Sequence, residues 1–236
     1  MQKKSQYAVF NYSEAEACLI DSLSQYLDEN VGDIYNFFEV DIPKQPVIIN
    51  IISTKKEFDK YYKYKNHLDT NYVCPKWLVG TGSDEIDLLS INDFKNTTHA
   101  FETKEFDKVF SKYCKLLIHE YAHYVNELFN KKHDCSFSAK YLVEGIAAYL
   151  SHQKDGEKLK YSYSFEQLVD LDKENSVYPG YYLTTKYFVE NYDKNFVLEM
   201  FQSSRQAEKF LKNELHDKAK EFYSTMDDNI SLEPRK

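Results

Sequence analysis

Two histidines four residues apart enclose a glutamate in Leu116-Leu117-Ile118-His119-Glu120-Tyr121-Ala122-His123-Tyr124-Val125. On a helix, positions i and i+4 share a face, so the rings of His119 and His123 can converge on one metal ion while Glu120 stands beside them as a base. A zinc ion held by two imidazoles needs a third protein ligand, and an open position for water if it is to be catalytic. Glu144, which follows His123 by 21 residues in Tyr141-Leu142-Val143-Glu144-Gly145-Ile146-Ala147-Ala148-Tyr149-Leu150, is the candidate. That run is apolar on every side except at Glu144, the pattern of a helix packed inside a protein. An unpaired carboxylate there is costly, and a metal removes the difficulty by supplying the opposite charge.

H-E-x-x-H also arises by chance on surface helices, and three features weigh against chance here. The residues around the histidines, Glu120 aside, are uncharged, as a buried metal helix requires. Glu144 stands in an otherwise apolar helix. Finally, Phe106, Phe110, Tyr113, Leu117, Tyr121, Tyr124 and Leu128 recur at steps of three or four and form one apolar stripe. His119 and His123 each lie two positions from a stripe member, about 200° round the helix at ~100° per residue. They therefore point away from that core, toward a cleft.

The pair H-E-Y-A-H at 119–123 and Y-L-V-E-G-I-A-A-Y at 141–149 resembles the gluzincin zinc metallopeptidases, and most of all the peptidase MA-like group. In that group H-E-x-x-H is followed by a W-L-x-E-G-x-A-x-Y type segment. The resemblance is specific over residues 105–150 and weaker from Val47 to Phe201. It implies an α+β, zincin-like metalloprotease fold, with a small mixed N-terminal sheet, a mainly helical C-terminal half and the zinc site between them. It also implies Zn2+ held by His119, His123 and Glu144, with Glu120 as general base. In gluzincins the edge strand just ahead of the zinc helix runs beside extended substrate, which nominates Glu85–Ile91 as a substrate shelf; an ordinary edge strand is the other reading. Tyr182 to Val189 resembles the helix that follows the ligand glutamate in the same group. Tyr182 becomes the candidate donor to the oxyanion, with Tyr181 and Tyr178 as rivals and a packing tyrosine as the alternative. One position departs from the thermolysin branch: Ala148 stands where an aspartate orients the first zinc histidine, so His119 needs another partner.

The chemistry expected of such a site is amide hydrolysis of a peptide or protein substrate, with Glu120 taking a proton from the attacking water. A catalytically inactive binding or regulatory protein with a structural zinc is the alternative, favoured by Ala148 and by the undecided tyrosine. A net charge of −8 argues against nucleic acid as the partner, because phosphate contacts need clustered Lys and Arg. No apolar run reaches the length of a membrane span. Lys3 and Lys4 are followed by no apolar h-region, so nothing reads as a signal peptide. The chain is cytoplasmic if full length and secreted if a leader has been removed. Cys18, Cys74, Cys114 and Cys135 lack paired spacing and read as reduced, mostly packing thiols.

The elements that must position the site follow from periodicity. A helix is expected from Ser13 to about residue 40, interrupted at Gly32, and a buried strand over Pro46–Ile52. Another helix spans Lys55–Tyr64. Trp77–Gly80 and Glu85–Ile91 read as a hairpin around Thr81–Asp84, where Gly80 and Gly82 let backbone or substrate approach closely. Asn92–Thr103 is loop-like and polar. After Glu144, helices are expected from Tyr181, over Lys194–Phe201 and over Ser204–Tyr223. The chain reads as one domain over 1–236, with an α/β lobe over residues 1–100, a helical zinc-binding lobe over 101–223 and a tail over 224–236.

Overall fold

A computed structural model describes residues 1–97, 105–135, 139–169 and 174–225. Residues 98–103 of the expected polar loop and the tail from residue 226 lie outside the described residues, and the loop's first residues, Asn92–Phe94, are helical. In chain order the elements are β1 (Gln2–Lys4), β2 (Ala8–Asn11), α1 (Ala17–Phe38), β3 (Val47–Ile52), α2 (Lys55–Lys65), β4 (Gly80–Gly82), β5 (Ile86–Leu89) and α3 (Ile91–Phe94). Then come α4 (Phe106–His133), α5 (Lys140–Leu150), α6 (Phe165–Val169), α7 (Glu174–Asn191), α8 (Lys194–Phe201), α9 (Ser204–Phe210) and α10 (His216–Thr225). The architecture is α+β, with one small mixed sheet. The chain forms two compact units, Met1–Val125 and Asn126–Lys236, with the division falling inside α4.

The first unit is built on a five-stranded sheet in the order β1-β2-β3-β5-β4. Its central pairs, β2 with β3 and β3 with β5, are parallel, and the outer pairs are antiparallel. Each parallel pair needs a crossover, supplied by α1 and α2. On one face the register aligns Phe10, Ile49, Ile86 and Gly82, and beside them Ile51, Leu88 and Gly80; the large members of both rows are buried. The other face carries a polar row. Gln2 donates to Asn11 (2.9 Å), Asn11 to Asn50 (2.8 Å), Asn50 to Asp87 (2.8 Å), and Lys65 of α2 closes the row on Asp87 (2.7 Å). A one-residue slip would send this row into the apolar core, so the two faces together specify the register.

Two expectations change here. The chain has an N-terminal hairpin, β1 and β2, that hydrophobic patterning does not announce, because it offers only Ala8 and Phe10 as fully buried positions. More consequentially, β5 is not an edge strand and Glu85–Ile91 is not a free shelf. Its four residues pair with β3 on one side and β4 on the other, leaving no open main-chain edge, and Ile91 already begins α3. The edge is β4, and the hairpin turns more tightly than expected, with Ser83 N–H donating to Glu85 C=O.

Helix α1 passes through Gly32 without interruption and ends at Glu39 in a left-handed conformation (φ 53°). Its buried stripe, Leu23, Leu27, Val31, Ile34 and Phe38, has the three- and four-residue spacing of an amphipathic helix. Helix α2 starts at Thr54, whose hydroxyl accepts from the Glu57 amide, and ends with Lys63 and Lys65 where the helix dipole favours cations.

In the second unit α5 lies against α7. A Cβ on Gly145 would stand 2.1 Å from Thr185 Oγ1 and 2.5 Å from the Tyr181 carbonyl oxygen, so only glycine permits the approach. Thr185 in turn donates to the Tyr141 carbonyl (3.2 Å). Helix α7 begins at Glu174, earlier than expected, and carries Pro179 inside it. The buried residues Ala207, Leu211, Leu215 and Ala219 recur every four positions. A plain α-helix would carry such a stripe off its face, and the π-helical turn Leu211–Leu215 between α9 and α10 absorbs the drift. The four cysteines are free thiols. Among the described residues no helix is long and apolar enough to cross a membrane.

Candidate metal site

Helix α4 carries the H-E-x-x-H segment. Asp107 in its first turn and Lys131, Lys132 and His133 in its last complement the helix dipole. Two tyrosine hydroxyls fix its roll about its own axis: Tyr113 donates to the Leu89 carbonyl at the end of β5 (2.8 Å), and Tyr121 shares a hydrogen bond with Tyr35 of α1 (2.9 Å). Burial pushes the ionisation of both phenols far above the usual range, so they remain neutral hydrogen-bonding groups.

The expected one-sided stripe is only partly realised. Tyr113, Leu117, Tyr121 and Tyr124 are buried, but Phe106 is exposed, and the helix from Leu116 through Ala122 is buried all round. His119 is 4% and Glu120 6% exposed, while His123 is half-buried. For Glu120 the cause lies in β4. A Cβ on Gly82 would stand 2.0 Å from the Glu120 carbonyl oxygen and 3.1 Å from His123 Cβ; a Cβ on Gly80 would stand 2.6 Å from Glu120 Oε1. The edge strand thus lies directly on the H-E-x-x-H turn, and glycine at both positions is what lets it do so.

His119 and His123 bring their Nε2 atoms to 3.0 Å of each other, with ring planes at 86°. Glu144 joins them, and one ligand atom from each of the three residues lies within 4.8 Å of the others. A tetrahedral ion with bonds of about 2.0–2.1 Å spaces its ligand atoms by roughly 3.3 Å. The 3.0 Å between the two imidazole nitrogens fits such an ion, the Glu144 oxygen lies within 4.8 Å of them, and the donor types suit zinc and other borderline transition metals. Glu144 is half-buried rather than enclosed, on the side of α5 that also carries the half-buried Lys140 and Val143. Burial pushes the Lys140 ammonium below its usual range, and the Glu144 carboxylate partly offsets this.

The tyrosines sort themselves differently from the expectation. Tyr182 is fully buried and donates its hydroxyl to Asp155 Oδ1 (2.8 Å). Tyr178 donates to Glu144 Oε2 (3.2 Å). Tyr178 and Tyr182 are four residues apart on α7 and share a face, so their spacing does not distinguish them; only the partner each one meets does. Asp155 also pairs with His152 (2.7 Å). Its sequence signal, an Asp-Gly turn, reads as punctuation rather than as a buried acid. Ala148, where the thermolysin branch has an aspartate, is fully buried and brings no polar group to the site.

Comparison with protein-family models, with curated proteins and with solved structures yields no match.

Proposed function

We propose that this chain is a zinc-dependent peptidase of the gluzincin kind, on a zincin-like fold. The observation that carries the reading is the convergence of His119, His123 and Glu144 within 4.8 Å, with Glu120 on the same helical turn as the two histidines. A glycine edge strand against that turn, antiparallel to its neighbour, supports the fold part of the reading. A zinc ion held by these three residues would supply Lewis acidity for a carbonyl and make water available as a nucleophile near neutral pH.

The remaining work falls to the chain. Glu120 is not one of the three clustered ligands, and its carboxylate lies along Gly80 of the edge strand. From there it accepts a proton from the attacking water and returns it to the leaving amine. Tyr178, already beside Glu144, is the hydroxyl placed to donate to the oxyanion that develops, a role Tyr182 cannot fill while it is bonded to Asp155. The near-complete burial of His119 and Glu120 keeps competing water away from the proton transfer.

The test is metal analysis of the purified chain combined with a cleavage screen on a proteome-derived peptide library, run for the parent and for Glu120→Gln. Stoichiometric zinc in both proteins, with cleavage by the parent alone, is the expected result. Zinc in both with no cleavage by either would favour a binding protein with a structural metal.

A further inference from the structure

We propose that His152, Asp155 and Tyr182 form a positioning clamp that holds Tyr178, and through it Glu144, in place for the metal; the clamp rests on the reading that Glu144 is a ligand. The starting observation is backbone strain. Helix α5 ends with Gln153 N–H donating to the Ala148 carbonyl (3.2 Å) and His152 N–H to the Tyr149 carbonyl (3.3 Å). This closing turn places His152 in the left-handed region, at φ 56°. Glycine is the usual residue there, and a side chain with a Cβ is disfavoured. Histidine enters that region more readily than most residues with a Cβ, so the turn sets where the His152 side chain starts, and its partner must show whether it has a use.

That use is visible in its partner. His152 Nδ1 lies 2.7 Å from Asp155 Oδ2, and the Asp155 side chain is only 8% exposed. The other carboxylate oxygen accepts from Tyr182, which is fully buried in α7. One helical turn earlier, Tyr178 donates to Glu144. Helix α7 is therefore tied to α5 and its closing turn at three levels: through Tyr178 on Glu144, through Thr185 on the Tyr141 carbonyl against Gly145, and through Tyr182 on the residues that end α5. The first and last ties come from the same face of α7, so releasing Tyr182 frees the turn that carries Tyr178. Groups that orient a metal ligand in this indirect way change metal affinity by about 10- to 100-fold when removed.

Zinc affinity of the full chain, measured by competition with a chromophoric chelator, tests the clamp alongside thermal unfolding. His152→Gly and His152→Asn both suit a left-handed backbone, but only asparagine retains a donor for Asp155. The expected result is zinc binding weakened about tenfold in His152→Gly and in Tyr182→Phe, no further loss in the double variant, and affinity within about threefold of the parent in His152→Asn. The melting temperature of His152→Gly should equal or exceed that of the parent, which separates positioning from general destabilisation. If the parent binds zinc and Glu144→Gln does not, while His152→Gly and Tyr182→Phe bind like the parent, the clamp is wrong and the metal site stands. If the parent binds no zinc, both readings fall together.

Discussion

Adding a single methyl group at Gly80 separates the catalytic role proposed for Glu120 from the proposed metal site. The new Cβ would stand 2.6 Å from Glu120 Oε1, 2.8 Å from Cγ and 2.9 Å from Cδ. Comfortable contacts between carbon atoms are about 3.5–4.0 Å, so the carboxylate must move by roughly 1 Å. It can do so, because what the methyl meets is the end of a flexible side chain; the fold should survive with little loss. Misplacement by about 1 Å of a group that must meet a particular proton costs on the order of 100-fold, or about 2.7 kcal/mol in the barrier. Gly80→Ala should therefore retain zinc and melt near the parent, while its kcat/KM on a cleaved peptide falls about 100-fold. Gly82→Ala is the contrasting control. There the Cβ would stand 2.0 Å from the Glu120 carbonyl oxygen, a backbone atom that no rotamer can move, so the loss appears in stability, by about 1–3 kcal/mol. Full activity in Gly80→Ala would refute the placement of Glu120 as the base, since the methyl and the carboxylate cannot occupy the same space.

The cluster of His119, His123 and Glu144 was legible in sequence, the two histidines because their geometry is local. His119 and His123 meet through helical periodicity alone, and Glu144 is conspicuous as the acid in an apolar helix. Strand β3 was legible for a similar reason, its Val and Ile content demanding burial. What could not be read is what depends on long-range order. Nothing local to Ile86–Leu89 says whether β4 or β5 lies outermost, because that follows from β5 entering parallel to β3 while β4 folds back on it. The tyrosines are degenerate in sequence: Tyr178 and Tyr182 occupy equivalent helical positions, and only the tertiary placement of Asp155 separates them. His152 was unreadable in another way, since a left-handed backbone angle leaves no trace in a polar segment unless glycine marks it.

His123→Ala and Glu144→Ala should each abolish stoichiometric zinc, read by elemental analysis after dialysis; a full zinc complement in either removes that residue from the ligand set. Burial pushes the Cys114 thiol up to about 12, so in the native protein at pH 8 it should resist iodoacetamide while the exposed Cys18 reacts, and it should become reactive only on unfolding. The last prediction concerns where a peptide lies. In the β4–β5 hairpin, Leu89 N–H donates to Val79 C=O and Ser83 N–H to Glu85 C=O, so Val79, Thr81 and Ser83 direct their main-chain groups toward β5. By the alternation of an antiparallel pair, Gly80 and Gly82 direct theirs away from β5, along the outer edge of the sheet and beside Glu120 and His123, with Gly80 buried and Gly82 half-buried. An extended peptide can be held there through its backbone whatever its sequence. With Glu120→Gln protein and a saturating peptide identified in the cleavage screen, amide exchange at Gly80 and Gly82 should slow at least tenfold, while Asp87 and Leu88, already enclosed between two strands, should not change. Unaltered exchange at both glycines, with peptide demonstrably bound, would show that side chains elsewhere grip the substrate and that the glycines serve only to seat the edge strand against α4.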